Sequence, residues 1–336
     1  MKDQRNQSAR RKRLLRSLLR LAGLAALAAV VVFLAVRVVA ALRSSGGGDA
    51  SGSAGSQAVT SSGEPVDYEI LTYTNGTATL RFLYEDGAWV WQDVPDFPLT
   101  QEDVTAVTDA LAELPVRQTL TEFTELSDYD LDEPNYQVSL RWTDGREESW
   151  AIGKATDNGD GRYVLRDGDE STLYIVTDTL TALLDRPIYA MMTLPETREF
   201  TEDQLTAVTF TAGETELRLV ASAAEEGNVT WRYGNRDVTE AAAPALAVLR
   251  GWGVESCVDY EPSHDAAVLC GFGSPAARVE LTYLDAAGGE QTLRYTIGNS
   301  VPGGDGRCLR IGDDRTIFAV TAESAGAVLA LAELAA

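Results

Sequence analysis

The only histidine of the chain stands between a serine and an aspartate, and these are the three residue types of a hydrolase triad. Ser263, His264 and Asp265 are consecutive in the 336-residue sequence. A triad needs a nucleophile, a base and an orienting acid that point at one another, which side chains on adjacent residues cannot do. We therefore expect a loop with a solvated histidine here, and histidine acid–base catalysis has no other candidate.

Neighbouring carboxylates are a second possible source of chemistry. Two carboxyl groups can act as general acid and base when a cleft separates their pKa values. The chain contains 51 Asp and Glu residues, so acidic pairs arise by chance, and examples are Glu102 with Asp103, Asp130 with Asp132, and Asp313 with Asp314. The sequence predicts no catalytic residue, and we expect that the protein is not an enzyme.

Two glycine-rich segments resemble ligand loops only in part. Residues 271–276 (GFGSPA) match the glycine pattern of a dinucleotide-binding turn, but Pro275 and the strand-like residues after it do not supply the helix that such a turn requires. Residues 157–161 (DNGDG) resemble a calcium loop, but Thr156 stands where an EF-hand needs an acid. Asn, Asp and Gly are also the residues that hairpin turns select, so we expect a turn there and no cofactor.

The three cysteines lie late in the chain. Cys257, His264 and Cys270 offer at most three zinc ligands, at spacings unlike a compact zinc motif, so we expect no metal site. Cys308 occupies a strand position and is expected to be a small buried apolar residue. Cys257 and Cys270 could pair outside the cell, although nothing in the sequence requires it.

Tryptophan side chains could stack on sugars or peptides. Trp89, Trp91, Trp142 and Trp150 alternate along β-rich segments. Placement at every second residue favours core packing or cross-strand pairing. We therefore expect these side chains to be structural.

Charge is divided unevenly along the chain. Residues 1–43 carry ten of the 28 Lys and Arg residues and one acid, Asp3, which leaves 18 basic and 50 acidic residues for the rest. Like charge opposes the approach of such a body to phosphate, so we expect no nucleic-acid partner.

A basic and apolar stretch opens the sequence. Residues 21–42 are apolar except for Arg37, and as a helix they would extend roughly 33 Å, enough to cross a bilayer. The basic residues before this span predict a single-pass protein of the cell membrane, with a cytoplasmic N-terminus and extracytoplasmic C-terminal domains. The alternative is a cleaved secretory signal ending near Ala40. We favour a retained anchor because its apolar part exceeds that of a signal peptide.

A Gly/Ser-rich segment and a repeated order of sequence signals define the rest of the predicted domain organisation. Residues 129–176 and 270–320 share an order of turn and core signals, such as Ile152-Gly153 with Ile297-Gly298. We predict an α+β fold with two tandem repeats of mainly antiparallel sheet with helices, preceded by one transmembrane helix. The predicted domains are a basic tail (1–20), the span (21–42), a flexible tether (43–65), a first repeat (66–190) and a second repeat (197–336).

Strand and turn signals place these elements along each repeat. Asn75-Gly76 predicts a hairpin, and Thr100 is the predicted N-cap of an amphipathic helix that Pro115 ends. The predicted strands are 68–73, 77–84, 88–92, 136–143, 147–152, 162–166, 172–176, 205–210, 216–220 and 229–233, with further strands within 278–320. Besides the helix at 100–114, helices are predicted at 178–184, near 244–249 and at 323–334.

The order of these signals resembles a known bacterial family. It comprises a Trp-containing strand before a helix (Trp89 and Trp91; Trp231), a segment ahead of a proline (131–134; 271–275), and Ile-Gly followed by a Gly-rich hairpin and an aromatic or Cys strand. This pattern is similar to the family known as domain of unknown function 4340, in two tandem copies, the second with Cys308 in place of the strand aromatic. The resemblance implies a membrane-anchored extracytoplasmic protein with ABC-type transporter subunits as partners, and it supplies no catalytic residues.

These observations favour a membrane-anchored extracytoplasmic scaffold or accessory protein of the bacterial envelope. Its expected partners are the membrane, ABC-type transporter subunits of the gliding-motility kind, or other envelope proteins. The first alternative is a solute- or glycan-binding module, which predicts an aromatic-lined pocket at the joint, residues 187–197. The second is an envelope hydrolase that uses acidic residues.

Overall fold

The strands of the first half pair through turns that the sequence marks. In the computed structural model, which describes residues 68–223 and 229–335, Gly76 follows the first strand with a positive φ of 78°. The side chain of Asn75 accepts hydrogen bonds from the backbone N–H groups of Thr77 and Ala78, at 3.1 and 3.0 Å. The predicted hairpin at Asn75-Gly76 is therefore confirmed.

Eight strands form the first sheet. In chain order they are β1 (Tyr68–Asn75), β2 (Thr79–Glu85), β3 (Ala88–Trp91), β4 (Val116–Leu120), β5 (Tyr136–Trp142), β6 (Glu147–Ala155), β7 (Arg162–Arg166) and β8 (Leu173–Val176). Their order across the sheet is β3-β2-β1-β5-β6-β7-β8-β4, and neighbouring strands are antiparallel.

Nine strands form the second sheet. They are β9 (Leu205–Ala212), β10 (Thr215–Ala223), β11 (Val229–Tyr233), β12 (Arg236–Asp237), β13 (Ser256–Asp259), β14 (Ala277–Leu284), β15 (Glu290–Ser300), β16 (Arg307–Ile311) and β17 (Ile317–Val320). The order is β12-β11-β10-β9-β14-β15-β16-β17-β13. Apart from the two-residue β12, the second sheet repeats the strand order of the first.

Short helices connect and cover the sheets. The α-helices are α1 (Gln101–Ala112), α2 (Thr181–Leu184), α3 (Thr239–Leu249), α4 (His264–Leu269) and α5 (Ala322–Leu329). Three 3-10 turns add Leu126–Tyr129, Ile188–Met191 and Ala330–Ala335. The residues of the sheets and helices belong to one compact unit, Pro65–Ala336.

Helix α1 forms where its apolar spacing predicts it. Val104, Val107 and Leu111 lie on one face and are buried against the first sheet. Thr100 has the extended backbone of an N-cap, but its hydroxyl lies 3.0 Å from that of Thr193 and does not cap the helix. The predicted N-cap position is therefore confirmed, although the Thr100 side chain makes no capping hydrogen bond.

The predicted fold class is wrong and is corrected here. We predicted α+β repeats preceded by a transmembrane helix, whereas the described residues form two large antiparallel sheets with a few short helices. The helical segments are short because Pro115 and the strand segments limit them, and the sheets contain edge strands that the sequence does not mark. No helix within residues 68–223 and 229–335 is long and apolar enough to cross a membrane. The predicted tail, span and tether, residues 1–65, lie outside the described residues.

Among the elements that escaped prediction are two edge strands without an alternating apolar pattern and one helix. Four of the five residues of β4 are exposed, and β4 forms the edge of the first sheet beside β8. β13 occupies the same place beside β17. The segment at His264 is helix α4 instead of the expected loop, because the Ser263 hydroxyl accepts a hydrogen bond from the backbone N–H of Ala266.

The two sheets share part of one core. Cys257 and Phe318 of the second sheet pack with the core residues of the first. The ring of Tyr260 meets that of Phe97 edge-on at 5.2 Å, and its hydroxyl donates a 2.9 Å hydrogen bond to the carbonyl oxygen of Asp96. These contacts hold the two halves of the described body together.

Candidate functional site

The residues that resembled a catalytic triad have structural roles. The Ser263 hydroxyl oxygen caps α4, while His264 and Asp265 are exposed on its first turn. Side chains committed to a helix cap and to solvent do not form a nucleophile–base pair.

Members of the three acidic pairs named from the sequence also have structural roles. Asp103 forms an ion pair with Arg186. Asp130 has a positive φ of 55° and ends the turn Leu126–Tyr129. Asp314 accepts a 2.9 Å hydrogen bond from the backbone N–H of Thr316.

The two glycine-rich segments are turns. Residues 157–161 join β6 to β7, and the Thr156 hydroxyl donates a 2.8 Å hydrogen bond to Oδ1 of Asn158. The segment at Gly271 runs from α4 into strand β14, so it does not open a helix. Within the described ranges, no group of three or more His, Cys, Asp or Glu side chains is arranged to hold a metal ion.

Three of the four tryptophans are core residues, as expected. Trp89, Trp91 and Trp150 are buried. Trp142 is half-buried, with Tyr68 edge-on at 5.6 Å and the Arg146 guanidinium 5.0 Å from its ring centre. The alternation in the sequence identified Trp89, Trp91 and Trp150 as core residues, but it did not indicate that Trp142 is only half-buried.

A cleft of about 320 Å³ lies between the end of α1 and the adjacent face of the first sheet. Its walls contain four aromatic side chains, Tyr68, Trp142, Trp150 and Tyr174, and we call it the aromatic cleft. Because side chains at every second strand position share a face, β5, β6, β7 and β8 each direct residues into it.

A charged pair lines one side of the aromatic cleft. Nη2 of Arg166 lies 2.8 Å from Oε2 of Glu148, and Arg166 also approaches Asp167 at 3.4 Å. Partial burial, followed by the negative charges of Asp109 and Glu148, raises the pKa of Tyr68. The Tyr68 phenol is therefore a neutral hydrogen-bond donor at the wall of the cleft.

An acidic side chain on α1, Asp109, also has a raised pKa. Partial burial and the nearby charge of Glu113 raise the pKa of Asp109. An additional negative charge is therefore unfavourable near the end of α1, and a cation would be favourable there. The aromatic cleft thus combines apolar walls with one ion pair, Glu148–Arg166.

The register of the second sheet identifies the equivalent position in the other half. Trp150 pairs with Val138 and Arg166, and its counterpart Tyr295 pairs with Val279 and Ile311. Likewise Leu140 pairs with Glu148, and Leu281 pairs with Leu293. The ion pair Glu148–Arg166 of the first half is therefore replaced by two aliphatic residues in the second.

The equivalent space in the second half is largely filled. Trp252 packs against Tyr295 with ring centres 5.1 Å apart, and its indole N–H donates to Oγ of Ser324. Phe200 packs against Tyr283 at 4.8 Å, and the Arg198 guanidinium lies 4.5 Å from the same ring. A cavity of about 110 Å³ remains there.

Leu114 explains part of this difference. Thr119 pairs with Tyr174 and Cys257 pairs with Phe318, which aligns the chain before β4 with the chain before β13. On the segment that leads into each of these edge strands, Leu114 lines the aromatic cleft and Trp252 lines the cavity of the second half. The smaller side chain of Leu114 leaves the aromatic cleft open.

Two other concave sites are less distinctive. A groove of about 370 Å³ on the opposite face of the first sheet is walled largely by small side chains, including Thr72, Thr74, Ser139 and Ser149. At the joint, Pro195 to Arg198 line the small cavity beside Trp252. The aromatic cleft therefore does not lie at the joint, where the solute-binding alternative placed it.

Comparison with known proteins gives a family but no relative of known function. This chain belongs to the family described as domain of unknown function (DUF4340), whose model matches residues 89–267, just over half of its length. The matched segment runs from β3 into α4 and includes most walls of the aromatic cleft. No curated protein and no solved structure matches.

Proposed function

We propose that this chain is a non-catalytic accessory protein of the bacterial envelope whose aromatic cleft binds a segment of a partner protein. The observation that carries this proposal is the contrast between equivalent positions. The first half keeps an open cleft with the pair Glu148–Arg166, and the second half fills the same space around Trp252. A cleft kept open in only one of two similar sheets is costly to packing, which favours a binding role.

The distribution of charge supports a location at the cell membrane. The basic and apolar residues 1–42 would anchor the chain, with the acidic body outside the cytoplasm. The family resemblance favours a subunit of an ABC-type transporter as the partner. An acidic body suits a partner with a basic surface.

The chemistry of the aromatic cleft defines the segment that it would bind. Its volume suits one large side chain, and the rings of Trp142 and Trp150 favour an apolar or aromatic group. The pair Glu148–Arg166 can form polar contacts with the parts of the segment next to that group. Val116 lines the cleft and begins edge strand β4, so an extended peptide could pair with this edge and insert a side chain into the cleft.

We also propose that residues 66–190 and 197–336 are two tandem copies of the family domain. The shared strand order of the two sheets supports this duplication. In this view the first copy keeps the binding position and the second copy contributes mainly to stability.

A solute or glycan is the second candidate ligand. The aromatic rings of the cleft favour it, since sugars stack on Trp and Tyr side chains. We favour binding over acid–base hydrolysis because Glu148 is ion-paired with Arg166 instead of being paired with a second carboxyl group.

In-cell crosslinking tests this function with one substitution that closes the cleft. The full-length protein, Leu114→Trp and Val220→Trp are each crosslinked, purified from solubilised membranes and compared by mass spectrometry. Val220 is exposed on β10 and serves as the matched control for an added tryptophan. We expect the wild type and Val220→Trp to recover the same envelope protein in near-stoichiometric amounts, and Leu114→Trp to lose it.

Recovery of that partner by Leu114→Trp at the wild-type level would contradict the proposal. A second variant, with Glu148→Leu and Arg166→Ile together, installs the residues of the second half and is expected to weaken recovery, because it removes both members of the ion pair that lines the cleft. If no protein partner is recovered and the tryptophan fluorescence of the wild type, but not of Leu114→Trp, responds to soluble cell-wall oligosaccharides, the glycan alternative replaces the proposal.

A further inference from the structure

Two cysteines of the second half lie together on the face of the sheet opposite its main core. Cys270 ends helix α4 and Cys308 lies in β16. Both are buried, at 3% and 0% exposure, in a small cluster with Ile317. Both cysteines are free thiols in this structure, and the Cys270 thiol contributes to the raised pKa of the Cys308 thiol.

Strand β15 holds the backbone of these two residues in place. The Asn299 N–H donates a 2.8 Å hydrogen bond to the carbonyl oxygen of Cys270. Gly298 lies between the cysteines, because a Cβ atom built on it would overlap the Cys270 carbonyl oxygen and lie 3.3 Å from Cβ of Cys308. The contact between the cysteines is therefore fixed by backbone on both sides.

The first half makes the same contact with other side chains. Tyr129 and Tyr163 take the places of Cys270 and Cys308, and their rings meet edge-on at 4.7 Å. Gly153 stands where Gly298 does, and a Cβ atom on it would overlap the Tyr129 carbonyl oxygen. In both halves the segment before a central strand, β5 or β14, is therefore packed against the sheet at this point, once through two rings and once through two thiols.

We propose that Cys270 and Cys308 form a disulfide bond in the mature protein. The oxidant is a disulfide-bearing donor, which reacts by thiol–disulfide exchange. One cysteine thiolate attacks the donor and releases a donor thiol, and the second cysteine then attacks the mixed disulfide and releases another. The two protons and two electrons lost by the cysteines end on the two donor thiols.

This bond forms while the second half is still folding. Burial, together with the neighbouring Cys270 thiol, raises the pKa of Cys308 to about 12. The thiolate is the reactive form, so exchange is slow once Cys308 is packed. The bond is therefore a structural one that encloses residues 270–308, and it is not a reversible switch of the folded protein.

The third cysteine remains a thiol. Cys257 packs with the core residues of the first sheet, whereas Cys270 and Cys308 belong to a separate cluster. Burial also raises the pKa of Cys257 to about 12. The pairing of Cys257 with Cys270 that the sequence allowed is therefore not the one that the structure favours.

Oxidative refolding of the full chain tests the proposal. The reduced, unfolded protein is refolded in detergent with reduced and oxidised glutathione, its remaining thiols are alkylated, and non-reduced peptides are mapped by mass spectrometry. We expect the peptides that contain Cys270 and Cys308 to be joined and Cys257 to be alkylated. The midpoint of thermal unfolding is expected to lie on the order of 5–10 °C above that of the reduced protein.

Substitutions make the result specific. Cys257→Ala is expected to keep the bond and the thermal shift, and Cys308→Ala to lose both. Alkylation of all three cysteines after refolding, or a bond that includes Cys257, would overturn the proposal. The double variant Cys270→Ala with Cys308→Ala shows by circular dichroism whether the fold survives without the thiols, so that loss of the shift is not confused with misfolding.

Discussion

At the scale of single residues, the side chains of Trp252 and Leu114 differ in size, and this difference helps decide whether the space beside each sheet is filled or open. Trp252 fills the space over Tyr295, whereas Leu114 leaves the aromatic cleft open above Trp150. The surrounding strands are equivalent, so the difference arises from the side chains and not from the fold. The binding role proposed for this chain therefore rests on a place where its two halves differ.

Tyr295 gives a prediction for the dependence of stability on pH. Burial raises the pKa of Tyr295 to about 12 in the folded protein, and the unfolded value is about 10. The folded state therefore holds this proton more tightly, and the contribution of Tyr295 to stability is complete below pH 10 and is lost as pH rises towards 12. Urea unfolding between these pH values is expected to show this decline.

Tyr295→Phe separates this effect from other groups that titrate at high pH. The variant keeps the ring against Trp252 and removes the ionisable hydroxyl. We expect a shallower fall of the unfolding free energy with pH than in the wild type. Identical pH profiles for the two proteins would show that Tyr295 does not contribute.

Side-chain burial was the part of the site that the sequence predicted best. Alternation along strands identified Trp89, Trp91 and Trp150 as core residues, and it also predicted the burial of Cys308. The aromatic cleft was missed because an open space depends on residues far apart in the chain. The signal that could have found it is the pair Glu148 and Arg166, charged residues at strand positions where the second half has Leu293 and Ile311.

At the scale of elements, a glycine fixes how closely the segment before β5 or β14 approaches the sheet. Gly298 has the Cys270 carbonyl oxygen against the place of a Cβ atom. Gly298→Ala is therefore expected to lower the unfolding free energy by about 3 kcal/mol, because backbone must move. Chemical denaturation of the reduced protein measures this loss.

Gly326 provides the matched control on helix α5. A Cβ atom on Gly326 would meet no atom within 4 Å, and the residue is exposed. Gly326→Ala is expected to raise the unfolding free energy by about 0.5–1 kcal/mol, since alanine favours the helix. A loss for Gly326→Ala as large as that for Gly298→Ala would remove the steric explanation.

The edge strands β4 and β13 could not be identified from the sequence, whereas the edge strand β3 was predicted at residues 88–92. β4 pairs with β8 alone, so its exposed residues carry no alternation between a core face and a solvent face. The hairpins at Asn75 and at residues 157–161 were predictable because turns depend on local residue types. The positions of β4 and β13 depend on partner strands that are distant in the chain.

At the scale of the whole molecule, Tyr260 tests whether the two halves unfold together. Its ring packs on Phe97 and its hydroxyl bonds to the Asp96 carbonyl oxygen. Tyr260→Ala is expected to cost about 1–2 kcal/mol and to broaden or split the thermal transition, because the halves lose a shared contact. Differential scanning calorimetry measures both effects.

Tyr260→Phe is the control for this variant. It keeps the ring contact and removes the hydrogen bond, so an intermediate loss with one transition is expected. A single, unshifted transition for Tyr260→Ala would mean that other contacts, such as the hydrogen bond from Tyr189 to Asp259, hold the halves together.

The strand and turn signals predicted mainly antiparallel sheet, and the described residues form two such sheets, whose strand orders agree apart from β12. The balance between helix and sheet was judged wrongly, because short amphipathic segments such as residues 178–184 contribute only one turn, Thr181–Leu184. Local patterns indicate where an element begins, but packing against the sheet decides how much of it forms.

The placement of the central strands has a consequence for folding kinetics. In the first sheet β1 pairs with β5, so that Tyr73 lies opposite Val138. In the second sheet β9 pairs with β14, so that Phe210 lies opposite Val279. The long stretch of chain between the paired strands must close into a loop when they meet. The conformational entropy of this stretch is lost before the contacts between the strands compensate for that loss. We therefore expect each half to fold slowly, on the order of milliseconds to seconds, with closure of its central strand pair as the rate-limiting step.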